Sequence, residues 1–172
     1  MQLTEQVAIR DLGLILGDTL IIADLHLGYE EALARNGYMI PRYQFKETVK
    51  RLLNILEETQ VSRIIINGDL THEFARVSRQ ERKDTQKLLS MLKRRYEVGL
   101  VKGNHDTMVE HLDVPVYDRL AVDNHLVIHG HEIPEIPDNT DTIVIGHEHP
   151  AISIGDNIRK ETYKCFLMGQ WQ

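Results

Sequence analysis

Three apolar runs limit the fold most: TLIIAD at 19–24, VSRIIINGD at 61–69 and EVGLV at 97–101. The first two have no polar face, so they read as strands buried on both sides. Between them lie segments of helical period. YEEALARNG suggests a short helix ending at Gly37, a favourable position for a left-handed cap. From Pro41, PRYQFKETVKRLLNILEET carries Phe45, Val49, Leu52, Leu53 and Leu56 at helical spacing and predicts one long amphipathic helix. SRQERKDTQKLLSMLKRRY is a charged helix with Leu88, Leu89 and Leu92 on its buried stripe. Strand–helix–strand–helix–strand specifies an α/β fold.

Short strands at 6–10 and 13–16 precede this unit, with a turn at Gly17-Asp18. Hairpins follow it. RLAVDNHLVIHGHE turns at Asp123-Asn124, DTIVIGHEHP is a further strand, and AISIGDNIRKETYKCFLMG turns at Gly155-Asp156-Asn157. No linker-like, low-complexity or repeated segment divides the 172 residues, so residues 1–172 are expected to form a single domain.

Charge and cysteine content narrow the classes of function. A net charge of -6 excludes a global basic field for coating nucleic acid, but not a local basic groove. The single cysteine, Cys165, rules out an internal disulfide and a Cys-based zinc cluster. No apolar run approaches the roughly 20 residues of a membrane span. No basic-then-apolar leader opens the chain, so no membrane association and a cytoplasmic location are expected.

The residues able to do chemistry share one placement. Asp24, Asp69, Asn104, His129 and His147 each stand where an apolar run stops. In open α/β sheets the carboxyl ends of strands form the ligand crevice, so these distant positions are expected to converge. They sit in five patches: ADLHLG, NGDLTH, KGNHD, IHGHE and GHEH. Hard oxygen donors mixed with imidazoles suit Mn, Fe, Zn or similar ions better than Ca or Mg alone. Asp24-x-His26 at a strand end should point both side chains the same way, and His147-x-His149 repeats the spacing. Either pair alone is more often a turn or a satisfied polar pair. Gly68, Gly103, Gly130 and Gly146 fit tight turns beside the candidates, although any strand end uses glycine.

Taken together and in order, Asp24-Leu-His26, Gly68-Asp69, Gly103-Asn104-His105-Asp106, His129-Gly130 and Gly146-His147-Glu148-His149 resemble the calcineurin-like metallophosphoesterase superfamily, from about Ile21 to Pro150. The resemblance implies two facing mixed β-sheets flanked by helices, an αββα sandwich with the site on loops at one edge. It also implies two divalent metal ions, with Mn the leading choice and Fe, Zn, Ni or Mg the alternatives. Carried over, Asp24, His26 and His149 hold one ion, Asn104, His129 and His147 hold the other, and Asp69 bridges them. His131 is then a residue behind the ligands, a substrate-facing one, or a solvated loop residue. His105 reaches the substrate as general acid, and Asp106 orients its ring. His72 stands behind the ligands at most, and His111 and His125 are ordinary surface or hairpin residues.

The implied reaction is hydrolysis of a phosphate ester by a metal-bound hydroxide, the two ions clamping both ends of an in-line displacement. The stretch ADLHLGYEEALARNGYMIPR, with KCFLMG near the C-terminus, further resembles a branch of small prokaryotic phosphoesterases that includes ligase-associated DNA-damage-response endonucleases. That branch favours phosphodiesters, and nucleic acid or a nucleotide as substrate. The alternatives are a phosphomonoesterase on nucleotides or small phosphates, and a metal-binding scaffold without catalysis. Arg42 and Arg35 follow the first motif and could bind a substrate phosphate, or serve as helix-end and solvated cations. The basic residues of the third helix are interleaved with acids, which favours a solvated face. The flanking hairpins offer a surface for a homodimer.

Overall fold

The computed structural model describes residues 1–73, 78–107, 109–156 and 159–170. Asn157, in the expected last turn, lies outside them. The element order is β1 Val7–Arg10, β2 Gly13–Leu16, β3 Thr19–Ile22, α1 Tyr29–Arg35, α2 Gln44–Glu57, β4 Arg63–Asn67, α3 Arg79–Leu92, β5 Glu97–Val101, β6 Val116–Tyr117, β7 Leu120–Val122, β8 His125–Ile128, β9 Thr142–Ile145, β10 Ala151–Gly155 and β11 Lys160–Lys164. A single 3-10 turn, Val109–His111, precedes β6.

Strands β1 to β6 form one sheet in sequence order. β1, β2 and β3 pair antiparallel, and β3 through β6 pair parallel. A second sheet, β7-β8-β9, is also mixed. The two sheets face each other. Leu14, Leu16, Ile21, Ile65 and Val101 of the first meet Val122 and Val127 of the second in one buried cluster. The other face of the large sheet carries Leu20, Ile22, Ile64, Ile66 and Leu100, and receives Leu52, Ile55 and Leu56 of α2 and Leu88, Leu89 and Leu92 of α3. This double covering explains why TLII and RIIIN show no polar face. β10 and β11 form a separate hairpin with no buried residue. The expected layout of two facing mixed sheets flanked by helices is present. Among the described residues, every α-helix ends at or before Leu92 in sequence.

Local signals account for most boundaries. Gly37 has φ 90°, and the amides of Gly37 and Tyr38 donate to the carbonyls of Ala34 and Leu33, the two bonds of a Schellman cap. α3 opens with a capping box in which Ser78 and Glu81 satisfy each other's backbone amides. α2 starts at Gln44, not at Pro41. Its first free amides, Tyr43 N and Gln44 N, donate to the Glu30 carboxylate of α1 at 3.1 and 2.9 Å. A cap borrowed from another helix leaves no mark in the local sequence. Leu53, placed on the buried stripe by spacing, is 40 % exposed, and Ile55 is buried in its stead.

Candidate metal centre

Every expected ligand lies just beyond a strand: Asp24 and His26 after β3, Asp69 after β4, Asn104 after β5, His129 after β8, and His147 and His149 after β9. β3, β4 and β5 are mutually parallel, as are β8 and β9, so each set delivers its carboxyl ends to one edge. Buried Asn67, the last residue of β4, ties the two sets together. Its side-chain amide donates to Ile128 O at 2.8 Å, and its own carbonyl accepts from His129 Nδ1 at 3.1 Å. Asp24 adds a second link by accepting from His147 N at 3.1 Å.

The convergence of the D-x-H and H-x-H pairs does not come from strand alternation, as spacing suggested. β3 stops at Ile22 and β9 at Ile145, and the paired residues lie past them in left-handed backbone. Five of the seven candidate ligands have positive φ: Asp24 54°, His26 43°, Asp69 51°, His147 63° and His149 44°. Each such non-glycine conformation costs on the order of 1–3 kcal/mol and persists only where surrounding contacts impose it. For Asp24, His26 and Asp69 the contacts are backbone bonds between the two loops: Asp24 N to Gly68 O, His26 N to Asp69 O and Leu27 N to Leu70 O, at 2.8–3.1 Å.

Among the described residues three groups of donor atoms result: one, His26, His72 and His105, is all imidazole, and two include a carboxylate. Of the latter, Asp24, His26, Asp69 and His149 form one, and Asp69, His129 and His147 the other, with the donor atoms of each group within 4.8 Å of one another. Asn104 Oδ1 lies 3.1 Å from His129 Nε2, which puts it at the second group. Asp69 belongs to both.

The donors fit a cation. His129 Nδ1 faces a carbonyl, which only accepts, so that nitrogen carries the proton. Its Nε2 lone pair then points at Asn104 Oδ1, 3.1 Å away, and Asp69 Oδ1, 3.3 Å away. With that ring neutral, three acceptors converge there with no donor among them; with it protonated, Nε2 donates to Asp69 Oδ1. The Nε2 atoms of His26 and His149 approach to 3.2 Å in the other group. Burial, opposed by Asp69, holds the His26 imidazole down to about 4, so its neutral form is kept for a ligand role. Burial alone would raise Asp69. The His129 hydrogen bond and the His105 amide override it and bring the carboxyl down to about 2. Against burial, the Asp69 and Asn67 bonds raise His129.

His105 sits beside both groups. Its amide donates to Asp69 Oδ1 at 3.0 Å and its Nε2 is 3.9 Å from Asp69 Oδ2. The expected orientation of this ring by Asp106 needs correction. Asp106 is fully buried, and its oxygens accept from Leu70 N, Thr71 N and Gly103 N at 3.0–3.3 Å. It clamps the Asp69 and Asn104 loops together. The ring instead meets the His72 carbonyl, 2.5 Å from His105 Nδ1. His72 also packs edge-on to His26, at 5.5 Å between ring centres.

The remaining candidates lie farther out. His131 is exposed, its ring 5.3 Å from that of His129. Arg35 is paired with Glu73. Arg42 lines a cavity of about 220 Å³ with Leu27, Gly28 and Glu30. His125 is buried in β8 and is not a surface residue.

Two supporting residues escaped the sequence. Asn67 is one; its only signal is a polar residue closing an apolar strand. Glu81 is the other. It is 1 % exposed, and Oε1 accepts from His72 N at 2.7 Å and from Glu73 N at 3.2 Å. It therefore anchors the carbonyl that holds His105. Glu81→Ala is expected to cost about 3 kcal/mol, from lost charge-assisted bonds and the lost cap. Thermal unfolding would show this as a lowered Tm.

The chain belongs to the calcineurin-like phosphoesterase family, whose model matches residues 18–164. It is a metal-dependent phosphoesterase, a hydrolase acting on phosphate esters. The fold is similar to that of Pseudomonas putida nuclease MPE, with a TM-score of 0.59 and 24% sequence identity, over 82% of this chain and 67% of that one. No curated protein matches the chain. Among the described residues, no helix is long and apolar enough to cross a membrane.

Proposed function

We propose that this protein is a dinuclear phosphodiesterase acting on nucleic acid. The observation that carries the dinuclear reading is the position of Asp69, a buried carboxylate common to both donor groups. Asp24, His26 and His149 would hold one ion and Asn104, His129 and His147 the other, with Asp69 available to both. The mixture of carboxylate, amide and imidazole donors favours Mn, followed by Fe, Zn, Ni or Mg. The nuclease activity of the similarly folded P. putida protein supports phosphodiesters over monoesters.

Ions bound there supply charge neutralisation at the phosphoryl oxygens and activation of water. The chain's own contribution is proton management and positioning. His105 donates Nδ1–H to the His72 carbonyl, which turns Nε2 toward the cleft. A proton held on Nε2 can pass to the leaving oxygen of the ester. Asp106 keeps the two loops that carry Asp69 and His105 in register.

The leaving group tests this assignment. His105→Gln is expected to lower kcat on a diester with an alkoxide leaving group by about 10²–10⁴-fold. Bis-nitrophenyl phosphate, whose nitrophenolate needs no proton, should lose far less. Equal losses on both would remove His105 from the acid role. Chelator-stripped protein resupplied with Mn, Ni, Zn or Mg in turn should hydrolyse bis-nitrophenyl phosphate in preference to nitrophenyl phosphate. Turnover of the monoester alone would make the protein a phosphatase, and tight metal binding without turnover of either would make it a scaffold.

A further inference from the structure

We infer that a single-stranded polynucleotide leaves the metal centre over helix α2, held by cations on two grooves that meet at Lys50. The inference rests on the phosphodiesterase reading and names the course of its substrate.

The first groove, of about 620 Å³, has a metal-ligand candidate in its wall: Asp24 lines it together with Ala23. α2 supplies one side, with Lys50 and Arg51, and the end of β11 brings in Lys164. The volume is in the range of sites that hold a molecule of nucleotide size, roughly 300–1,000 Å³. Arg51 is committed to Asp11 at 2.5 Å. Lys50 and Lys164 make no ion pair among the described residues, where the paired Lys and Arg side chains are Arg35, Arg51, Lys93 and Arg159. Glu47 is the one further acid on this wall. Two free ammonium groups, from elements far apart in sequence, thus flank the exit from the centre.

Lys50 also lines the second groove, about 690 Å³ between α2 and α3. Lys46, Lys87 and Arg94 share it, against one acid, Glu57. Four cations to one acid is a local excess in a chain of net charge -6. The third helix, whose interleaved charges suggested a solvated face, contributes Lys87 to this side, and the turn after it contributes Arg94. The floor is apolar: Phe45, Val49, Leu53 and Met91. Lys87 Nζ stands 5.3 Å over the Phe45 ring.

A monoester or a small diester ends at the metal centre and has no phosphate to offer these cations. A longer strand has one per nucleotide. Cations spaced along an apolar floor match a strand whose base faces are free, which a duplex does not present. The electrostatic part of such binding releases counterions, so it must depend on salt.

Lys50, Lys87, Arg94 and Lys164 are all exposed, so neutral substitutions there leave the core untouched. The test compares the unsubstituted chain with K50Q/K87Q/R94Q and with K164Q. Binding of labelled single-stranded oligodeoxynucleotides of graded length is followed by anisotropy in chelator over a range of salt. KM for the same oligonucleotides with Mn is compared with KM for bis-nitrophenyl phosphate. The unsubstituted chain should bind more tightly as the strand lengthens. The triple variant should lose that gain, with at least a tenfold weaker Kd. Its log Kd against log salt slope should be shallower by about 2, at roughly 0.7 per cation for a single strand. K164Q should lose about one third of that slope change. The ratio of oligonucleotide KM to small-diester KM should rise in step. Unchanged Kd and slope, in a chain that still hydrolyses bis-nitrophenyl phosphate, would overturn the path and leave the phosphodiesterase standing. Equal losses on duplex DNA would overturn the single-strand assignment. No turnover of any ester by the metal-loaded unsubstituted chain would remove the phosphodiesterase reading beneath it.

Discussion

Asp69→Asn is expected to bring the metal content from two ions per chain to one or none and to lower kcat by roughly 10³-fold. The substitution changes little in shape, because an amide replaces a carboxylate and Oδ1 can still accept from His105 N. What it removes is the negative charge shared by both donor groups. Among the proposed ligands of the second group, Asp69 is the one anion, so that ion would be left with an amide and two imidazoles. Losing several kcal/mol of stabilisation at the reacting phosphoryl group corresponds to the stated factor, at 1.36 kcal/mol per tenfold. Elemental analysis of the loaded protein and turnover of bis-nitrophenyl phosphate give the two readings. Two ions retained with full activity would show that Asp69 bridges nothing.

Gly103→Ala is expected to destabilise the fold by about 3 kcal/mol and to abolish metal binding. A Cβ at this position would stand 2.2 Å from Asp69 Oδ1 and 2.4 Å from Asp69 N. Neither atom can swing aside. The first is held by His105 N and the second is backbone, while Gly103 N itself is held by Asp106 Oδ2 at 3.0 Å. The added methyl must separate the Asp69 loop from the Asn104 loop, and those loops carry the carboxylate common to both donor groups and a further proposed ligand. Gly37→Ala is the control. It has φ 90° but open space around it, so it should cost only the left-handed penalty, about 1 kcal/mol, and leave turnover intact. Chemical denaturation with metal titration of both variants separates the two effects. A Gly103→Ala chain that loads two ions would mean that the loops can part without harm.

Much of this architecture was legible from one-dimensional pattern. Runs apolar on both faces marked the central strands because those strands are covered by helices on one side and a second sheet on the other. Helix periods located α2 and α3 because their buried stripes are the contacts that hold them. β6 was not legible. It has two residues, and its strand character comes from pairing with Leu100 and Val101. The start of α2 was missed because its cap comes from Glu30.

The site divides along the same line. The identity and order of Asp24, His26, Asp69, Asn104, His105, His129, His147 and His149 belong to the sequence, since chemistry needs those donor types and the motifs display them. How the donors meet belongs to the tertiary structure. Left-handed backbone aims Asp24, His26, His147 and His149, at the first two set by bonds between loops, and strand alternation does not. Asp106 proves to be a clamp, and His105 is held by a carbonyl, a group every residue owns and no motif can advertise. Glu81 and Asn67 act on the site through backbone amides and carbonyls remote in sequence. Residue type can be read along a chain; the partner that a backbone group finds exists only once the chain has folded.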